Sequence, residues 1–318
     1  MGIVSSFISS AAIEEALEKD YSSRCKLYPV QMVDKVYRFG AAIGSRIDEF
    51  QRLGRGMDLA RRLIAEYDET NVSFPDGIFI RAGELSGGKG RFQRIWHAPP
   101  GGLWATLILV NTLLPQTARQ LPLAAGVACC EALREYIPEV AIKWVNDVHL
   151  HSRKIAGILA ETCRGRIHGE EYILIGLGIN VNNSRFPDEL SGLAVSISEI
   201  LGRQTPVEEM AAVLIAKLRW NVGLLHYQEQ RILEEKGSVE YVGGEPVNRK
   251  DEFALLIRNW LQLSDSIGRR VRFGHDVREN PQYEAEVVGI DAGGALILRH
   301  LRDNVLITEN SGELVYLN

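Results

Sequence analysis

The chain has few cysteines, and none of them stands in a metal-binding pattern. Its 318 residues contain four, Cys25, Cys129, Cys130 and Cys163, with no Cys-x-x-Cys pair and no histidine at a ligand spacing. A structural zinc site is therefore not expected. A small number of unpatterned cysteines is typical of a reducing compartment, so we expect a cytoplasmic protein.

Further absences narrow the class of partner. No stretch reaches the ~20 apolar residues of a membrane-spanning helix, and the first residues lack the basic start of a secretory signal. The formal net charge of −5 gives no basic surface for nucleic acid. The first forty residues show no paired helices with a glycine turn and a basic second helix. We therefore expect neither a membrane nor a nucleic acid as partner.

The apolar pattern indicates a large mixed domain followed by a small all-β domain. Apolar residues at helical spacing predict a helix over 57–67, and a buried helix is expected over 121–136. Strands are expected at 78–82 and 103–111 and as four short segments between 141 and 181. Two helical stretches, 206–228 and 249–263, close this domain. From Ser264 onward, short strands alternate with turns, and Gly293-Gly294 predicts a hairpin, as in a small antiparallel barrel.

Three stretches carry polar groups suited to chemistry. In SGGKGRFQRIW (86–96), glycines and cations suit a phosphate or another anion, although a flexible surface loop has the same composition. In KWVNDVHLHSRKIAG (143–157), Asn146 and Asp147 suit a metal-bound phosphate or a ribose. There Lys154 is either a point charge aimed at a reacting carboxylate or a surface lysine. In IGLGINVNN (175–183), alternating glycines leave one strand face bare, which leaves room for a flat ligand or permits tight packing.

Taken in order, GGKGRFQRIWHAPPGGL, KWVNDVHLHSRKIAGILAE, IGLGINVN and the final small barrel resemble the biotin protein ligase family. That family reads close to GRGRRGRxWxSPPGGL, KWPNDxxxxxxKxAGILxE and GxGINxN, and ends in an SH3-like domain. The resemblance runs from about residue 45 to the end. It implies an α+β fold, a mixed sheet packed with helices, with a helical extension at 1–44, a catalytic domain at 45–263 and an SH3-like barrel at 264–318.

The resemblance also implies a function. A ligase of this family activates a carboxylate, biotin as first choice, with ATP and Mg²⁺ as an acyl-adenylate, and transfers the acyl group to a lysine of a carrier protein. It implies that Lys154 and Arg91 are catalytic and that Asp147 holds Mg²⁺, directly or indirectly. The residues that it assigns to nucleotide binding are Gly88, Lys89, Gly90, Arg94, Trp96, Asn146, Asp147, Gly157 and Asn180, with Gly157 leaving space beside the ligand. Many relatives pair through a sheet edge, so a homodimer is possible.

The chain departs from the family where the acid's ring is expected. Arg55 and Gly56 stand where relatives have Ser-Thr, and Leu85 stands where they have glutamine, so polar partners of the ureido ring are lost. Unpaired buried polar groups are costly. A different acid, such as lipoate or another acyl group, is therefore an alternative to biotin. A non-catalytic protein that binds a nucleotide or a carrier protein is the alternative from another class.

Overall fold

The structure is a computed structural model that describes residues 7–70, 72–145, 147–183, 185–235, 241–242, 245–246 and 255–317. A seven-stranded sheet packed with helices is followed by a five-stranded antiparallel sheet. The predicted α+β class, with a small all-β part at the C-terminus, is confirmed. The predicted boundaries at 44/45 and 263/264 fall in connections between elements.

Two helices precede the large sheet. Helix α1 (Ser10–Cys25) begins after Ser9, and helix α2 (Val30–Phe39) follows Pro29. Both helices lie within the segment expected as a helical extension, and α2 has an apolar side that needs a partner. Its fully buried residues Val33 and Val36 belong to the main core, and α2 packs on the long helix α7 (Val207–Glu235).

The large sheet is mixed, and its strands run in the order β1-β2-β3-β7-β6-β5-β4. Strand β1 pairs in parallel with β2, and the other neighbours are antiparallel. The predicted strands are confirmed, whereas β1 was not predicted. The strands are β1 (Ile47–Phe50), β2 (Ile78–Ala82), β3 (Leu103–Val110), β4 (Ala141–Lys143), β5 (Asp147–Leu150), β6 (Arg153–Arg164) and β7 (Glu171–Ile179).

Helices cover the two faces of this sheet unequally. Helices α5 (Leu121–Arg134) and α7 pack on one face, and α3 (Gly56–Thr70) covers part of the other. Because β3 has helices on both sides, its residues from Leu103 to Leu109 are all buried, which accounts for its nearly continuous apolar sequence. The uncovered part of the second face is where the polar motifs meet.

The remaining elements connect or extend these layers. They are α4 (Pro115–Ala118), α6 (Ile197–Leu201), the short pair β8 (Tyr241–Val242) and β9 (Glu245–Pro246), and α8 (Leu255–Leu263). The first part of the helix predicted over 249–263 lies outside the described residues. No helix that the structure describes is both long and apolar enough to cross a membrane.

The C-terminal sheet has the strand order β13-β12-β11-β10-β14. Its strands are β10 (Arg270–Gly274), β11 (Tyr283–Ile290), β12 (Leu296–His300), β13 (Leu306–Glu309) and β14 (Glu313–Tyr316). Gly294, with φ +86°, lies in the turn from β11 to β12, so the predicted hairpin is confirmed. The carbonyl of Gly294 accepts a hydrogen bond from the indole of Trp144 at 3.2 Å, which ties this turn to the large domain.

Candidate active site

A cavity of about 840 Å³ lies between the open part of the large sheet and the C-terminal sheet. Its walls come from the glycine-rich loop at 85–97, from the ends of β5, β6 and β7, and from β14. Of the residues predicted for the site, this cavity brings together Arg55, Gly56, Leu85, Gly88, Lys89, Gly90, Arg91, Arg94, Trp96, Asp147, Lys154, Gly157 and Asn180. Asn146 lies outside the described residues.

Glycines on two neighbouring strands make the floor of this cavity. Gly157 of β6 and Gly178 of β7 are cross-strand partners, and the ring of Trp96 lies directly on them. A Cβ atom at Gly178 would come within 2.6 Å of the Trp96 ring, and one at Gly157 within 3.1 Å. Gly157 lines the cavity, and the side chains of Lys154 and Trp96 take up the room above it; its predicted place beside the ligand stays a prediction.

Lys154 is held in place by its backbone and by its side chain. Its amide donates to Leu193 at 2.7 Å, and its carbonyl accepts from Val195 at 3.0 Å, so the chain is bound on both sides. The Lys154 ammonium lies 2.6 Å from a carboxylate oxygen of Asp147 and 5.0 Å from the centre of the Trp96 ring. The lysine is thus aimed into the cavity beside a carboxylate.

Asn180 supports this lysine from behind. Its side-chain amide donates to the carbonyl of Lys154 at 3.4 Å, and its side-chain oxygen accepts from Asn183 at 2.9 Å. The resemblance assigns Asn180 to the ATP phosphates. In the structure it lines the cavity, and its side-chain amide and oxygen both form hydrogen bonds within the protein.

Asp147 is surrounded by cations. Burial opposes its ionisation, yet Lys154, Lys143 and Arg91 together hold the pKa of its carboxyl below the usual range. Burial also lowers the pKa of Lys143, and Asp147 offsets this only in part. Three cationic side chains therefore face one carboxylate, and the excess positive charge suits an anionic ligand.

Lys143 was not among the predicted site residues. It is the last residue of β4 and the cross-strand partner of Asp147. Its ammonium lies 5.1 Å from the centre of the Tyr316 ring in β14. The tyrosine hydroxyl in turn donates to Asp265 at 2.9 Å, next to His149, which bonds the same carboxylate oxygen at 2.9 Å. The pairing of β4 with β5 could have predicted that Lys143 lies opposite Asp147. Its contact with Tyr316, which is distant in the sequence, is seen only in the folded chain.

The cations of the glycine-rich loop point in different directions. Arg91 donates to the carbonyl of Gly312 at 2.6 Å, and burial lowers the pKa of its guanidinium. Arg94 forms ion pairs with Glu313 and Asp276, each at 2.6 Å. Arg94 thus binds two carboxylates while it lines the cavity, and its expected role as a ligand of the nucleotide stays a prediction. It fastens the loop to the C-terminal sheet.

The other loop residues shape its turn. Lys89 lines the cavity and donates to the side-chain oxygen of Gln93 within the loop at 2.8 Å. A Cβ atom at Gly88 would meet the carbonyl of Trp96 at 2.6 Å, so only glycine permits this close approach. The amide of Gly90 donates to Arg94 at 2.8 Å. These contacts close the loop on itself and set the position of Trp96.

The far end of the cavity contains the residues that depart from the family. Arg55, which precedes α3, donates to the carboxylate of Glu161, and Arg61 binds the other oxygen of that carboxylate. Burial opposes ionisation of Glu161, but the two arginines hold its pKa below the usual range. Gly56 faces Thr106 of β3. Glu161 and Thr106 were not predicted, because each lies in a strand whose sequence reads as structural.

Comparisons with known proteins identify the fold. The biotin protein ligase from Aquifex aeolicus in complex with biotin and ATP superposes with a TM-score of 0.65 at 21% identity. The superposition covers 86% of this chain and 100% of that one. The apo structure of the same ligase superposes with a TM-score of 0.61. The fold and the cavity therefore define the class: a protein with the fold of the biotin protein ligases.

Sequence comparison finds relatives that match parts of the chain. Residues 68–180 match the model of the Biotin/lipoate A/B protein ligase family. The Bifunctional ligase/repressor BirA of Bacillus subtilis (strain 168) is 36% identical over 146 residues, 43% of each chain. A Biotin--[acetyl-CoA-carboxylase] ligase of Paracoccus denitrificans is 28% identical over 256 residues, 74% of this chain and 93% of that protein. The chain therefore contains a region similar to the Biotin/lipoate A/B protein ligase family, within the fold of the biotin protein ligases. Its match spans less than half of the Bacillus relative's length.

Proposed function

We propose that the protein is an ATP-dependent ligase that activates a carboxylic acid, with biotin as first choice, as its acyl-adenylate. The acyl group then passes to a lysine of a carrier protein. The observation that carries this proposal is the group of three cations around Asp147, on a glycine floor within a cavity of about 840 Å³. The relatives named as biotin ligases support the same reaction.

Activation requires two anions to approach. A carboxylate oxygen of the acid attacks the α-phosphorus of ATP, an O–P bond forms, and pyrophosphate leaves with its bonding electrons. Lys154 lies where it can neutralise the carboxylate and the α-phosphate together, while Lys143 and Arg91 add positive charge nearby. Such preorganised charges typically contribute about 10²- to 10³-fold in rate each.

Magnesium fits this site only as a partner of ATP. No group of three or more His, Cys, Asp or Glu side chains that could hold a metal occurs among the described residues. Asp147 supplies a single carboxylate, which suits Mg²⁺ because this ion keeps water and phosphate ligands. When bound, Mg²⁺ would neutralise phosphate charge. Asp147 would hold it while still paired with Lys154.

The second half of the reaction needs no nucleophile from the ligase. The acceptor amine arrives on the carrier protein and attacks the acyl carbon, and AMP leaves. The loop that carries Trp96, fastened at Arg94 to the C-terminal sheet, closes the cavity and limits hydrolysis of the adenylate. We place this activity in the cytoplasm, and the four unpaired cysteines support a reducing compartment.

A ligase for another carboxylic acid is the second candidate. The observation in its favour is that Arg55, Gly56 and Leu85 line the far end of the cavity in place of the hydroxyl and amide groups of the family. Lipoate and other acyl groups would need fewer hydrogen bonds there. The assembled group of Lys154, Lys143 and Asp147 argues against a non-catalytic binding protein, which would have no need of it.

Pyrophosphate release from ATP and Mg²⁺ tests the proposal. We expect release that depends on added biotin and incorporation of biotin into a carrier protein with an acceptor lysine. Lipoate and a panel of small acids serve as comparison substrates. Release with another acid alone would favour the second candidate. No release with any acid, from protein shown to be folded, would reject the ligase function.

A further inference from the structure

The side chain of Tyr316 lies beside Lys143 in the wall of the cavity. Tyr316 ends β14 of the C-terminal sheet, whereas Lys143 ends β4 of the large sheet, and both residues line the cavity. The Lys143 ammonium lies 5.1 Å from the centre of the tyrosine ring. An ammonium over the face of an aromatic ring is attracted by the quadrupole of the ring, most strongly where water is excluded. The ring can therefore hold the ammonium in place without neutralising its charge.

The other surroundings of Lys143 leave its ammonium without a fixed partner. No hydrogen bond or ion pair joins its side chain to another residue that the structure describes. Asp147, its cross-strand partner, is paired instead with Lys154 at 2.6 Å. Burial lowers the pKa of Lys143, because the ammonium has lost part of its water. Of the contacts that the structure describes, the one with the Tyr316 ring can orient this ammonium.

The ring of Tyr316 is itself held through its hydroxyl and over its face. The hydroxyl donates to a carboxylate oxygen of Asp265 at 2.9 Å and lies 2.8 Å from the hydroxyl of the fully buried Ser266. The guanidinium of Arg269 lies 4.5 Å from the centre of the ring and pairs with the other oxygen of Asp265 at 2.7 Å. These contacts restrict the rotation of the ring.

His149 joins this group to the large sheet. It lies in β5, is only 4% exposed, and accepts a hydrogen bond at Nδ1 from the amide of Ser152 at 3.2 Å. Because Nδ1 accepts, the proton of the neutral ring is on Nε2, which donates to Asp265 at 2.9 Å. Ser264, which precedes Asp265, also forms a β-bridge with Ile142 of β4. The position of Asp265 relative to the large sheet is therefore set by two separate contacts.

We infer that Tyr316 is a positioning residue for Lys143, and that Asp265 and His149 fix its ring in the place where it acts. The C-terminal sheet thus determines where one cation of the cavity lies, although Lys143 belongs to the large sheet. This inference rests on the proposed function and deepens it, because it assigns part of the affinity for ATP to Tyr316. The ring contributes through Lys143 and not by touching the nucleotide.

Two double-mutant cycles that combine Tyr316→Leu with Lys143→Met test this inference. The first cycle measures unfolding by denaturant and needs no ligand. The second measures, by calorimetry, binding of an ATP analogue with a methylene group between its α- and β-phosphates. Tyr316→Leu alone should weaken binding of the analogue by about threefold to thirtyfold, the range for a lost cation–ring contact. In Lys143→Met protein the same change should weaken it by about twofold at most, because the cation that the ring positions is gone.

Conservative variants separate the ring from its hydroxyl and from the anchor behind it. Tyr316→Phe keeps the ring and should recover most of the affinity that Tyr316→Leu loses. His149→Gln keeps a donor for Asp265, whereas His149→Phe removes it, so the affinity for the analogue should be lower in His149→Phe. Equal affinity in these two variants would remove His149 from the inference.

The cycles also contain the results that would overturn the inference. An equal loss of affinity with and without Lys143 would mean that Tyr316 contacts the nucleotide itself. Strictly additive effects on unfolding would mean that the ring does not hold the ammonium. Wild-type protein that binds no analogue would overturn the proposed function, while the unfolding cycle would still decide whether Tyr316 holds Lys143. The inference and the proposed function can therefore fail separately.

Discussion

The ammonium of Lys154 lies 2.6 Å from a carboxylate oxygen of Asp147, at the point where β5 and β6 meet over the glycine floor. The two side chains are 35% and 31% exposed, so their ion pair contributes little to stability and is open to exchange with a ligand. We therefore expect the charge of Lys154 to matter more for the reaction than for the stability of the fold. A carboxylate or phosphate entering the cavity meets a lysine whose direction Asp147 has already set.

Lys154→Ala should slow formation of the acyl-adenylate by at least about 10²-fold, because the charge that develops between carboxylate and α-phosphate loses its nearest cation. Much of the ATP affinity should remain, since Lys143 and Arg91 are still present. Single-turnover pyrophosphate release and calorimetry measure the two effects. The neighbouring Arg153, which instead pairs with Glu199 at 2.6 Å, supplies the control Arg153→Ala. Near-normal release in Lys154→Ala would remove Lys154 from the mechanism.

Because the pKa of Lys143 is lowered, we expect ATP binding to weaken at alkaline pH. Burial lowers its pKa below the ordinary value of 10.5 for lysine. As the pH rises through that lowered pKa, the ammonium loses its proton and the cavity loses a positive charge. The KM for ATP should therefore increase at a pH below 10.5. In Lys143→Arg this rise should shift to higher pH, because arginine keeps its charge.

The same shift has a consequence for stability. A lysine whose pKa is lower in the folded state destabilises the fold at neutral pH, and this effect disappears as the pH rises from the folded to the unfolded pKa. Lys143→Met should therefore unfold at a higher denaturant concentration than the wild type at neutral pH, with weaker ATP binding. Equal stability at all pH values would contradict the assignment.

Gly178 should tolerate no side chain. A Cβ atom there would lie 2.6–2.7 Å from three atoms of the Trp96 ring. Gly178→Ala should therefore displace Trp96, destabilise the protein by about 1–3 kcal/mol and weaken binding of the acid. Gly178→Ala combined with Trp96→Leu should recover stability but not binding. Gly126→Ala is the control, because a Cβ atom in that helix meets nothing within 4 Å. Denaturant unfolding and calorimetry measure both effects.

The sequence predicted the parts of the site that depend on local order. Lys154 and Asp147 stand seven residues apart in one hairpin, so the pairing of its two strands brings them close together. The partners of Arg94 could not be predicted in this way, because Glu313 and Asp276 are 219 and 182 residues away. Thr106 was missed for another reason. In an apolar strand, a single threonine reads as core, and only the folded chain shows that Thr106 lines the cavity.

The edge strand β1 escaped prediction for a similar physical reason. Its sequence, Ile-Asp-Glu-Phe, has no alternation of apolar and polar residues, and all four residues are half-buried. The strand is fixed by pairing with β2 and by the ion pair between Glu49 and the buried Arg81 at 2.7 Å. Both are tertiary contacts, which hydrophobic periodicity cannot report.

The ion pairs of Arg94 should reduce the mobility of the glycine-rich loop, and proteolysis can measure this effect. Its guanidinium binds Glu313 and Asp276, so the loop is held to the C-terminal sheet by charge. Replacing both carboxylates, with Glu313→Gln and Asp276→Asn, should release the loop and increase protease nicking between Gly87 and Arg94. ATP with the right acid should reduce nicking in the wild type, because a bound adenylate adds contacts that order the loop.

The size of this effect should depend on salt and on which carboxylates are changed. The ion pairs of Arg94 are partly exposed, so raising the ionic strength should increase nicking of the wild type and change the double variant little. Glu286→Ala is the matched control, since Glu286 pairs with Arg299 in the same sheet at 3.4 Å. Its nicking rate should equal that of the wild type. If the double variant and the wild type were cut equally fast at low salt, the loop would be held by its own turn and by Trp96 alone, and Arg94 would have no part in closing the cavity.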